Sequence, residues 1–226
     1  DFARTSRESH ANGITGNVLQ VALTAASETG DAALVKAAIS MLKKANAAYS
    51  NTVPRGAQTW EIPLHTPDIL ASAHMLRANV LGYELTGDRE FFDEARYWAW
   101  SGVPFVYLDR PTDTGRVGMY ATIAVLGASN WVAPNWIGLP VQWCGLVYAD
   151  ALLDLWFHDR DPRWKLLADG IVSSGYQQSW PPVSGAVISR TARERQGLLP
   201  DSFVLESQMR ADPAITPATL LMPASR

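Results

Sequence analysis

Three turns of one kind set what this chain can fold into: ETGDAAL from Glu28, LTGDREF from Leu85 and DRDPRWK from Asp159. Each interrupts two apolar-periodic stretches. Gly30 and Gly87 suit the left-handed residue that ends a helix. Asp31, Asp88 and Asp161 suit the next N-cap, where a carboxylate accepts from free backbone N–H groups. Pro162 falls at the first helical position, where its missing N–H is no loss. The pattern predicts three helical hairpins and an all-α fold.

The flanking periodicity agrees. Leu34, Ala38, Leu42, Ala45 and Tyr49 recur at helical spacing, with Lys36, Lys43 and Lys44 off that stripe. Ile69, Ala73, Leu76, Val80 and Tyr83 form a stripe before the second turn, and Phe91, Ala95 and Trp98 one after it. Trp143, Val147, Leu155 and Trp156 precede the third turn; Trp164, Leu167 and Ile171 follow it. Leu146 and Leu153 are expected in the core with Leu42, Ile69, Ala73, Leu76 and Trp98. The connections between hairpins, Ser50 to Thr66 and Leu108 to Trp136, exceed the usual helix–helix loop, which marks them for function. Up-and-down connectivity puts both long loops at one end and the short turns at the other. Residues 1–176 read as the helical-hairpin segment. Residues 177–226 read as a Pro-rich tail leading into another domain, with GAVISRT as one strand and little strand content before Gln177.

Bulk composition narrows the partners. With 47% hydrophobic and 18% charged residues and a formal net charge of −3, the chain has no basic block to neutralise phosphates. That argues against nucleic acid and anionic membrane as partners. No apolar run reaches the length of a membrane span. Cys144 is the lone cysteine, and no His or Cys pair has metal-site spacing, so neither an internal disulfide nor a transition-metal site is expected. No phosphate loop or nucleophile elbow appears, and no cofactor is expected. The chain opens at Asp1 with no visible signal peptide, which leaves the compartment open.

The LTGDREFFDEARYWAW turn and second helix resemble the six-hairpin glycosidase-like superfamily, in which helical hairpins pack side by side into an (α/α) toroid. The resemblance runs from Ile14 to about Tyr176. Three hairpins are half of that ring, so it implies a toroid-like arc or a segment of a longer protein. It also implies a carbohydrate cleft among the loops at one end, and an activity of the glycoside hydrolase or polysaccharide lyase type. A non-catalytic α/α scaffold or carbohydrate-binding module is the alternative from another class.

The first long loop carries TWEIPLHTPDIL. A glycosidase needs two carboxyl groups across the scissile bond, and Glu61 with Asp68 is one candidate pair. Thr66, Pro67 and Asp68 also read as N-cap, first helical residue and first-turn acid, which gives Asp68 a structural role. Glu61 has no such helix-end role. It is the expected catalytic carboxyl, with Trp60 as a binding residue beside it. The second loop pairs amides with indoles: Asn130 with Trp131, Asn135 with Trp136, and Gln142 with Trp143. Amides bond hydroxyls and indole faces stack on sugar C–H groups, so Asn130, Trp131, Asn135, Trp136 and Gln142 are expected to bind substrate; turn and core roles are the plainer alternative. Tyr120, His65 and Arg116 suit a lyase, in which Tyr or His removes a proton beside a carboxylate that Arg neutralises; Tyr120 also reads as a packing residue. Asp150 is expected to anchor its helix to a neighbour, and His74 to be a satisfied core or edge histidine. His10 and His158 are expected at the surface.

Overall fold

The computed structural model describes residues 10–57, 66–110, 119–123 and 142–178, without the side chains of residues 177 and 178. Six α-helices run through them: α1 (Asn12–Thr29), α2 (Ala32–Tyr49), α3 (Ile69–Thr86), α4 (Arg89–Gly102), α5 (Gln142–Asp159) and α6 (Pro162–Gln178). A short 3-10 turn, Val103–Phe105, extends α4. Among the described residues there is no strand, only isolated bridges between Arg55 and Pro67 and between Val106 and Thr122.

The three turns close the hairpins as their residues dictate. Gly30 and Gly87 sit at φ 64° and 69°, and their N–H groups donate to Ala26 and Tyr83. Asp31 accepts from the N–H groups of Ala33 and Leu34, and Asp88 from that of Glu90. Asp161 accepts from the Arg163 N–H at 3.0 Å. The third turn has Arg160 where the others have glycine. It takes the same left-handed conformation, φ 56°, and donates its N–H to Trp156. Its guanidinium lies over the Trp156 ring, 4.6 Å from the centroid.

The first helices of the hairpins pack on one another: α3 touches α1 on one side and α5 on the other, while α2, α4 and α6 each back their own partner. We call α1, α3 and α5 the inner row. They run parallel, because Gly13 meets Ala71 and Gly16 meets Met75, and Arg77 and Glu84 reach Asp150 and His158 in the same direction. The short turns therefore lie at one end of the row, and both long connections begin and return at the other.

Flanked on three sides, α3 is buried nearly all round, with Ala71, Met75, Leu76 and Ala78 inaccessible. Leu42, Ile69, Ala73, Leu76, Trp98, Leu146 and Leu153 are all core residues. Phe157, which shares a stripe with Leu146 and Leu153, is 47% exposed and lies beneath the Arg160 guanidinium instead. Gly102 lets α4 close on the inner row: a Cβ there would run into the Tyr148 ring and the Ser72 hydroxyl. Tyr148 and Ser72 in turn donate to the carbonyls of Ala99 and Trp98.

The start of α3 differs from the sequence reading. Thr66 is not its N-cap; Asp68 is, accepting from the Ala71 N–H at 2.7 Å. The chain stays extended through Thr66 and Pro67 because they pair with the returning loop: Gly56 donates to the Thr66 carbonyl, and Pro67 bridges to Arg55. Helix α2 ends at Tyr49 and α5 begins at Gln142, so the connections run over 50–68 and, after the 3-10 turn, over 106–141.

Candidate functional site

The inner row presents a polar face. Helical spacing brings Gln20, Thr24 and Glu28 to one side of α1, and Arg77, Leu81 and Glu84 to one side of α3. With Asp154 of α5, they line an open cavity of about 670 Å3. Val21, Ala25, Val80 and Leu81 are its apolar part.

Its wall is an ion cluster. The Arg77 guanidinium lies 2.7 Å from an oxygen of Asp150 and 2.9 Å from one of Asp154. Those carboxylates are one helical turn apart, so both face α3. Burial works against the Arg77 charge, but Asp154 and then Asp150 outweigh it, and the guanidinium pKa is raised. Asp150 is thus the anchor between helices expected of a carboxylate on an apolar stripe. Desolvation offsets much of the attraction in such a partly buried cluster, so its net contribution to stability is small.

One turn earlier on α3, His74 is 8% exposed. Its Nδ1 lies 2.9 Å from the Gln20 amide nitrogen, which donates to it. Burial, and secondarily the nearby Arg77, lower its pKa to about 4. It is a neutral, satisfied histidine at neutral pH. Toward the short-turn end, His158 lies 2.8 Å from Glu84 and stands edge-on to the Tyr83 ring. It is at the surface as expected, and so is His10, which bonds Tyr49.

At the other end, side chains tie down the bases of both long loops. Asp68 accepts from the Ala57 N–H at 2.9 Å as well as capping α3. Asn12, fully buried at the start of α1, accepts from the Arg55 N–H and donates to the Val53 carbonyl, both at 2.8 Å. The second loop returns against Phe105 and Tyr107: Tyr107 donates to Ala121, Tyr120 to Tyr107, and Ile123 to Phe105. Gln142 fastens that return. Its Oε1 accepts from the Thr122 N–H at 2.9 Å, and its Nε2 donates to the Ile171 carbonyl at 3.0 Å.

Of the ten residues expected at a site from the sequence, two fall within the described residues. Gln142 is fully buried, with its amide spent on backbone partners. Tyr120 is half-buried, at φ 67°, with its ring over Gly170. Trp60, Glu61, His65, Arg116, Asn130, Trp131, Asn135 and Trp136 lie outside the described residues. Arg77 and Asn12 were missed. The signal for Arg77 was a lone guanidinium within HMLRANV, which has to find carboxylates in a packed interior, and Asp150 and Asp154 supply them at a spacing of four.

Among described carboxyls, Glu94 has its pKa raised, by burial and then by Glu90. It stands on α4, in the outer row, and does not line the cavity. No group of three or more His, Cys, Asp or Glu among the described residues could hold a metal ion, and no described helix is long and apolar enough to cross a membrane. No family model matches the chain, and no curated protein or solved structure matches it.

Proposed function

We propose that this chain is the toroid-like part of a carbohydrate-active enzyme of the glycoside hydrolase type, acting on a poly- or oligosaccharide through carboxylate acid–base catalysis. One observation supports this reading above others: a row of parallel inner helices, each backed by its hairpin partner, with both long connections returning at the same end. In this reading the residues between those connection ends, Glu61, His65, Arg116 and the Asn–Trp pairs among them, form the cleft. In this reading Glu61 is the catalytic carboxyl, and Trp60, Trp131 and Trp136 stack on sugar rings while Asn130 and Asn135 bond hydroxyls.

The test is release of reducing ends from a panel of polysaccharides by the natural full-length protein, alongside its Glu61→Gln variant. Glutamine keeps shape and hydrogen bonding but removes the proton-transfer role. Turnover should fall by about two to four orders of magnitude, while saccharide binding by calorimetry survives. No reducing ends from any glycan would sink the hydrolase reading. Unsaturated, ultraviolet-absorbing products from a uronate polymer would replace it with a lyase.

A further inference from the structure

We infer, on the premise of that saccharide reading, that the inner-row cavity is a subsite selective for amine-bearing sugars and closed to uronates. The cavity, about 670 Å3, lies within the roughly 300–1,000 Å3 typical of small-ligand sites. Val21, Ala25, Val80 and Leu81 offer apolar contact for ring C–H groups, and Gln20 and Thr24 place neutral polar groups beside it. Charge decides the rest. Glu28, Glu84 and Asp154 line the cavity, and Arg77 is the cation among the lining residues. Its guanidinium is already held between Asp150 and Asp154, within 2.9 Å of each. It is therefore held by two carboxylates before any ligand arrives, and Glu28 and Glu84, the latter beside His158 at 2.8 Å, add two more to the lining.

A sugar carboxylate entering here meets like charge with its natural counter-ion already taken. A sugar ammonium meets carboxylate acceptors, and charge-assisted hydrogen bonds are roughly twice as strong as neutral ones. Glu84 is 42% exposed at its side chain. The attraction is consequently screened, and the preference should shrink as salt rises. The cavity lies toward the short-turn end of the inner row, below the long loops. It fits a sugar unit distant from the bond that the loop residues would cleave.

The experiment is calorimetry on the natural full-length protein at low salt, with a glucosamine oligomer, its N-acetylated counterpart and an oligogalacturonate as probes. The glucosamine oligomer should bind about tenfold more tightly than the acetylated one, and oligogalacturonate more weakly than either. The double variant Glu28→Gln, Glu84→Gln changes surface residues and should fold. In it the amine preference should disappear while the acetylated oligomer binds as before. Equal affinities in the wild type, a preference for oligogalacturonate, or an amine preference that survives in the double variant would each overturn the inference. Reducing-end assays on the same oligomers separate it from the hydrolase reading. Cleavage without charge preference removes the subsite and leaves the hydrolase. An amine preference without cleavage removes the hydrolase and leaves the subsite.

Discussion

The two ends of the inner row are held by different kinds of chemistry. At the short-turn end the caps are local: Gly30 and Gly87 bond back four residues, and Asp31 and Asp88 cap within three, while the ties between helices there, Lys43 with Asp88 and His158 with Glu84, are exposed pairs. At the long-loop end the ties cross the chain. Asp68 joins Ala57 to Ala71, Asn12 holds residues 53 and 55, and Gln142 links Thr122 to Ile171. Gly30, Asp31 and Gly87 are exposed and Asp88 half-buried, so their groups are shared with water, whereas Asp68, Asn12 and Gln142 are buried. A local cap can be lost and its N–H groups resolvated. A tie to a buried partner cannot, because Ala71, Thr122 and Ile171 stay in the interior without water. Loops fastened this way have fixed ends, which suits them to carry a site on a rigid scaffold.

The sharpest way to break this comparison is Asp68→Ala, which removes a cap and strands the Ala57 N–H. We expect a loss of about 2–4 kcal/mol in denaturant unfolding, from a cap worth roughly 1 and an orphaned part-buried donor worth roughly 1–3. Gln142→Leu keeps the volume but orphans the Thr122 N–H, and about 1–3 kcal/mol should go. Hydrogen exchange should then quicken at Thr122 and Ile123 before it does in α3. Asp31→Ala, the local counterpart of Asp68→Ala, should cost only about 1 kcal/mol; a loss as large as that of Asp68→Ala would erase the distinction between the ends. Arg160→Gly should change least, within about 0.5 kcal/mol. It relieves a left-handed non-glycine residue but gives up the guanidinium over Trp156 and frees the unfolded chain. A large stabilisation there, read from the thermal midpoint, would mean that the ring contact contributes nothing.

The same division explains what could be read from the residues alone. ETGD and LTGD carry both the stop of one helix and the start of the next within four residues, so the hairpins were legible. The start of α3 was not. Thr66-Pro67-Asp68 offers two N-cap residues, and pairing of Thr66 and Pro67 with residues 55 and 56 selects the second; that is a tertiary preference with no local trace. One stripe on α3 also understates its burial, since periodicity cannot say that three helices will surround it. Gln142 shows the limit for function. Beside Trp143 it reads as a sugar-binding amide, yet the same donor and acceptor serve equally well to pin a loop to α6, and only the fold distinguishes these uses. Asp150 was legible as an anchor because a carboxylate on an apolar stripe must be paired. Arg77, its partner, needed the packing of α3 on α5 to be placed.

The parallel course of α1, α3 and α5 also has an electrical consequence. Each helix carries roughly half a positive charge at its N-terminus and half a negative charge at its C-terminus. Three N-termini therefore lie together at the end where the long connections begin and return, with the C-termini of α2, α4 and α6 one helix diameter behind them. The wall is polarised across its thickness at that end, positive on the inner side and negative on the outer, over a distance comparable to the Debye length at physiological salt, about 8 Å. A carboxylate held above the inner helices sits in a field that favours its ionised form and suits it to act as base or nucleophile. A carboxyl that has to keep its proton and act as an acid would have to stand off that axis or be shielded by apolar side chains.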